Sequence, residues 1–282
     1  MSNTDLIVVT RGRIPGGTKG EIESTFRDTY NRFGFKSPYK VEILITETEG
    51  IRQDFLREEK SQVGITTVDD EDEVCSHNNW RGFPTVSVSV EKLSQFSKSA
   101  RKGALRHEAA HTVLHGTLEY SIFRIPDDCQ QIASIKGISR PNLEQVVRNL
   151  SAAIKDCEVS KFLIANDFID CQAAFILEWI RLPAIDNSPL KPKMDRQARF
   201  VYQTALLKPI LLANPLLAME KSKKIALERQ VLLGRKVEEL IEHLPEYERN
   251  RLVQVAGMIS DNLKQDTHQN VDSALHHAMT LA

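Results

Sequence analysis

Six residues constrain this chain more than any others: Arg106-His-Glu-Ala-Ala-His111. They fall inside a helix expected from about Ser97 to His115, stopped by Gly116 as a C-terminal cap. The helix is otherwise rich in apolar residues (Ala104, Leu105, Val113, Leu114), so the fold must accommodate three polar groups within it. Residues four apart lie one above the other on a helix face. Two imidazoles at that spacing, with only the small Ala109 and Ala110 beyond the glutamate between them, can grip one cation from the same side. Glu108 then reaches a water beside the cation without binding the cation itself. Neutral imidazoles suit zinc, which binds nitrogen at roughly 2.0–2.1 Å and takes three protein ligands plus water when catalytic. Zinc brings the pKa of that water to roughly 7, and the glutamate takes its proton as it attacks a carbonyl. The competing reading is a surface helix with exposed histidines.

The surroundings are mixed. Leu6–Thr10 and Val41–Thr46 are β-branched runs that read as strands, and Pro15-Gly16-Gly17 reads as a turn. Between them, Ile22, Phe26, Tyr30 and Phe33 recur at helical spacing over Glu21–Phe33. Val68–Asn79, with its DDEDE run, reads as a solvated loop, and Thr85–Val90 alternates as a half-buried strand. Beyond it the pattern is helical: Asn142–Phe168 as one helix or two in series, then a linker marked by Pro183, Pro189 and Pro192. Four helices are expected after the linker, at about Asp195–Leu212, Pro215–Leu244, Pro245–Leu263 and Asn270–Leu281. The charge-rich Glu220–Glu242 reads as a long surface helix.

His-Glu-x-x-His on a helix resembles the zincin metallopeptidases, and the resemblance covers roughly Thr85–Leu163. It implies His107 and His111 as zinc ligands and Glu108 as general base and later acid. It also implies that a strand before the helix receives the peptide substrate at a sheet edge, a place Thr85–Val90 is suited to fill. The metzincin continuation, a Gly and a His soon after the motif, is missing. His115 lies about 12 Å along the helix from His107, too far to share its metal. In the gluzincin-like plan an acidic residue on a second helix completes the site, with a polar residue four positions on supporting a histidine. Ala152–Ser160 fits with Asp156 as ligand and Ser160 as support. Asp156 shares its helix face with Asn149, Ala152, Ala153, Ser160 and Leu163. Glu158 lies about 200° round the axis among Ser151, Lys155 and Lys161, a face that reads as solvated. Asp156 is therefore preferred, with Glu158 second and Glu119, which faintly resembles an aspzincin ligand, third. Tyr120 and Tyr202 are open candidates for stabilising an oxyanion. His243 reads as a helix-end cation, and His276-His277 as decoration of a final helix.

With 37 Lys plus Arg against 38 Asp plus Glu, the net charge is -1, and no global field points to nucleic acid or an anionic membrane. No uninterrupted apolar run approaches the ~18 residues of a membrane span. Cys75, Cys129, Cys157 and Cys171 are widely spaced and read as free thiols of a cytoplasmic protein. The expectation is an α+β protein: a small mixed sheet with the zincin helix in a domain of residues 1–182, then a helical C-terminal region of residues 193–282. Its expected function is zinc-dependent hydrolysis of a peptide or protein substrate. The alternative is a non-catalytic regulatory or scaffolding protein whose metal is structural or sensing.

Overall fold

The two β-branched runs become parallel strands, β1 (Asp5–Arg11) and β2 (Lys40–Thr46), joined by helix α1 (Gly16–Phe33). This computed structural model describes residues 4–64, 74–180, 194–219 and 227–282. Within them a mixed sheet runs in the order β1-β2-β4-β3, with β4 (Thr85–Ser89) parallel to β2 and β3 (Cys75–Asn78) antiparallel to β4. Sheet plus helices make an α+β protein. α1 buries Ile22, Phe26, Tyr30 and Phe33, the periodic set. It starts earlier than expected: Pro15 is its N-cap, and the two glycines form its first turn instead of a free turn. A first turn has no intrahelical partners for its N–H groups, so these residues interrupt no helix bond there.

Three expectations about the sheet are corrected. β3 occupies the end of the stretch read as a solvated loop, whose residues 68–73 lie outside the described residues. Its residues have modest strand preference, so its pairing with β4, which aligns Ser76 with Ser87 and His77 with Val86, must define it. β4 is not an edge strand, because β2 and β3 occupy both its sides. Nor is it half-buried: every residue from Thr85 to Ser89 is buried. The reason is α2 (Glu49–Gln62), which the sequence reading did not foresee. Its Arg52, 1% exposed, donates to Ser76 Oγ at 3.0 Å and Ser87 Oγ at 3.3 Å, and pairs with both Glu49 carboxylate oxygens at 2.6 and 2.9 Å. Ser87 of the alternating strand thus faces a buried guanidinium, not water.

Ser89 caps the short α3 (Val90–Ser94), and Ser97 caps α4 (Lys98–Leu114), accepting from the Ala100 amide. α4 packs against α1, β3 and β4. Its C-cap is His115, not Gly116. Gly116 is small for another reason: a Cβ there would lie 2.2 Å from Thr112 O and 2.9 Å from Pro84 Cγ.

The chain forms two compact units, Met1–Ser121 with Ala165–Glu178, and Ile122–Ile164 with Trp179–Ala282. The second takes in more chain than the C-terminal region expected from the sequence. It holds α5 (Asp127–Ile135), nearly all of α6 (Arg140–Ala165), and α8 (Arg196–Leu217), α9 (Leu227–Ile241), α10 (Glu246–Asp261) and α11 (Thr267–Ala278). α6 is one helix. α8 runs through Pro215, where a new helix was expected to begin. Burial of Leu206, Leu207, Ile210, Leu211, Leu212 and Leu216, at ~1.5–3 kcal/mol each, outweighs the ~3 kcal/mol that an interior proline costs. By length and composition α8 also suffices to cross a membrane, but 67% of that window is buried within the fold, as in a core helix. The Pro-marked linker falls in residues 181–193 and the start of the Glu220–Glu242 stretch in 220–226, both outside the described residues. α7 (Ile169–Trp179), absent from the sequence reading, belongs to the first unit except for its last residue.

Candidate metal centre

α4 carries His107, Glu108 and His111 on its buried side, 3%, 8% and 4% exposed. These are not exposed histidines of a surface helix. The Nε2 atoms of His107 and His111 face each other 3.1 Å apart. Two nitrogens bound tetrahedrally to one zinc at roughly 2.0–2.1 Å stand ~3.3 Å apart, so this pair fits a shared zinc with almost no movement. Imidazole pairs are also a donor set that zinc favours.

The remaining ring nitrogens are held from behind. His107 Nδ1 lies 3.2 Å from the side-chain amide of Gln172 on α7, which is fully buried. The Phe175 ring packs beside His107 at 5.2 Å between centroids. His111 Nδ1 lies 3.1 Å from Nδ1 of His115, itself 1% exposed. Asn79 fixes the turn that carries His115, donating to the carbonyls of His115 and Thr117 and accepting from Ser121 Oγ. His115 therefore supports His111 from one turn away, in keeping with the distance that bars it from sharing a metal with His107. One turn before His107, a Cβ on Gly103 would stand 2.1 Å from Cys171 O and 2.6 Å from Phe175 Cβ. That glycine lets α7 approach closely enough to bring Gln172 to the ring.

Glu108 is turned toward the sheet. Its Oε2 lies 3.4 Å from Nδ1 of His77 on β3, and the His77 ring stacks on His111 at 4.3 Å and 11°. The motif thus sits against an outermost strand that carries a third imidazole. Tyr30 of α1 meets Thr112 of α4, hydroxyl to hydroxyl at 2.8 Å, and burial pushes the phenol pKa well up, so it stays neutral.

Asp156 lies on α6 in the second unit and is buried, as its small-residue face predicts, along with Ala153, Ser160 and Leu163. Its carboxylate is 3.6 Å from Lys208 Nζ. Glu158 is not solvated, a correction to the sequence reading. It is half-buried and accepts hydrogen bonds from Thr267 Oγ1 at 2.9 Å and Asn270 Nδ2 at 2.6 Å. α11 covers that face, which a single-helix view could not show. Glu119 is exposed and accepts from Thr117 Oγ1 at 3.0 Å. Tyr120 packs edge-on against His115, while the Tyr202 hydroxyl is engaged by His243 at 2.8 Å in the second unit.

His77, Gln172 and the orienting part of His115 escaped the sequence reading. Apolar periodicity over Ile169, Ala173, Ile176 and Leu177 could have revealed α7, but nothing local ties Gln172 to His107. His77 follows an acidic run and carries no spacing signal. No family model, no curated protein and no solved structure matches this chain.

Proposed function

We propose that the chain is a zinc-dependent hydrolase acting on peptide bonds, with zinc held by His107, His111 and Asp156 and with Glu108 as general base. The observation that carries this reading is the pair of buried Nε2 atoms 3.1 Å apart, each on a ring whose other nitrogen is already engaged. The gluzincin-like plan supplies Asp156 as the third donor, and it is buried on the small-residue face of its own helix. Bound by this set, zinc would supply Lewis acidity toward a carbonyl and a water acidic enough to ionise near neutrality.

The protein's own groups do the rest. Gln172 sets its Nε2 against His107 Nδ1 at 3.2 Å; with the amide turned over, its oxygen would accept from Nδ1–H and leave the His107 lone pair on Nε2, the form that binds a metal. His111 donates Nδ1–H to His115 with the same effect. Glu108, standing between the two ligands in sequence but turned toward His77, accepts the proton of the attacking water and returns it to the leaving nitrogen. A structural or sensing metal, the competing role, has no use for a carboxylate placed there.

Glu108→Gln tests the reading. Zinc should remain bound at one equivalent by this site, while hydrolysis of a peptide library falls by at least ~10²-fold. A variant that hydrolyses peptides at the wild-type rate would remove Glu108 from the chemistry.

A further inference from the structure

A second cluster of metal-ligating side chains stands in the second unit. Asp128 and Cys129 occupy the first turn of α5, and His276 lies in the last turn of α11. One ligand atom from each lies within 4.8 Å of the other two. Their orientation is fixed from outside the cluster. His276 Nδ1 is 2.7 Å from the carbonyl oxygen of Asp272, an approach that requires a proton on Nδ1. In the neutral ring the lone pair is then on Nε2, which faces Asp128 Oδ2 at 2.6 Å. Asp128 Oδ1 accepts from the Cys129 amide at 2.8 Å, which keeps Oδ2 turned to the imidazole.

Two acceptors that close need a cation between them. A proton on His276 answers the pair alone. The buried sulfur of Cys129 stands beside that pair, within 4.8 Å of both other ligand atoms, so three donors of different chemistry converge on one point. A divalent ion would answer the imidazole lone pair, the carboxylate and the sulfur together.

We propose that Asp128, Cys129 and His276 form a second metal site, of the kind that zinc occupies. Imidazole, thiolate and carboxylate are zinc donors, whereas magnesium and calcium prefer all-oxygen sets. Binding releases two protons to solvent: the Cys129 S–H bond breaks and its sulfur pair goes to the metal, and the proton held between His276 Nε2 and Asp128 Oδ2 leaves as the metal takes its place. The Nδ1–H bond to the Asp272 carbonyl is the outer contact that metal-ligating histidines commonly make.

Cobalt(II) titration reads the site directly, because a thiolate ligand gives cobalt an intense charge-transfer band that nitrogen and oxygen ligands do not. The band should grow to one equivalent in the wild type and equally in the His107→Ala/His111→Ala double variant, which keeps the two sites separable. It should be absent in Cys129→Ser. In His276→Gln, which retains the sulfur, cobalt affinity should fall by more than ~100-fold, beyond the effect of an outer contact. Circular dichroism without metal checks that each variant is folded. No thiolate band in the double histidine variant, an undiminished band in Cys129→Ser, or unchanged affinity in His276→Gln would each overturn the proposal.

Discussion

A histidine lends a metal one ring nitrogen, so the group behind the other nitrogen decides whether it is ready to bind. His107 has Gln172 there and His111 has His115, both buried. The carboxylates divide on the same logic of what already holds them. Asp156 is buried beside Lys208, whereas Glu158 spends its oxygens on Thr267 and Asn270. Asp156→Ala should therefore weaken zinc binding far more than the ~10–100-fold of an outer-contact change, and Ser160→Ala should stay within that range. Glu158→Ala should leave zinc affinity unchanged but lower stability by ~1–3 kcal/mol, since Asn270 and Thr267 lose their acceptor. Zinc competition and urea unfolding on the three variants separate the outcomes. If Glu158→Ala strips the metal while Asp156→Ala does not, the two carboxylates exchange roles.

At the level of elements, the approach of α7 to α4 rests on one missing methyl group. Gly103→Ala should destabilise the protein by ~1–3 kcal/mol through overpacking against Cys171 and Phe175, and weaken zinc binding as Gln172 is displaced. Gly20, also helical but with open space around it, is the control: Gly20→Ala should stabilise by ~0.5–1 kcal/mol. Thermal melts of the two variants shifting the same way would show that the contact carries no weight. Elements were legible where a local pattern mirrors burial, as for β1, β2, α1, α4 and α6. His107, Glu108 and His111 were legible because their spacing is itself helical. α2 and β3 were not, since Arg52 is buried by partners on other strands and β3 exists by pairing with β4. The polar alternation of β4 misled for the same reason. A serine facing a buried arginine and a serine facing water look identical in one dimension.

For the whole molecule, a net charge of -1 leaves little global repulsion at pH 7, so the electrostatic part of its stability there rests on particular groups. Glu49 is one. Burial opposes its ionisation, yet the hydrogen bonds and charge of Arg52 hold its pKa below the ordinary carboxylate value. Its contribution to stability is thus full above the unfolded pKa of ~4.3 and is lost as pH falls through the lower folded value. Glu49→Gln should cost roughly 3 kcal/mol at pH 7, because Arg52 keeps a buried charge with less to answer it. That deficit should shrink below about pH 4, where wild-type Glu49 begins to take up its proton. Urea unfolding at pH 7 and pH 3 measures it, and an equal deficit at both would assign the effect to packing.

The discontinuity of the first unit has a consequence for the order of events on the ribosome. α4 is translated before α7, and between them the chain contributes residues 122–164 to the other unit. A nascent chain paused in that interval already carries both histidines at the right spacing, while Gln172, which orients one of them, has not yet been made. Metal capture in its final form has to wait for the second visit of the polypeptide, so a premature stop after residue 121 would yield the ligand pair without its orienting amide.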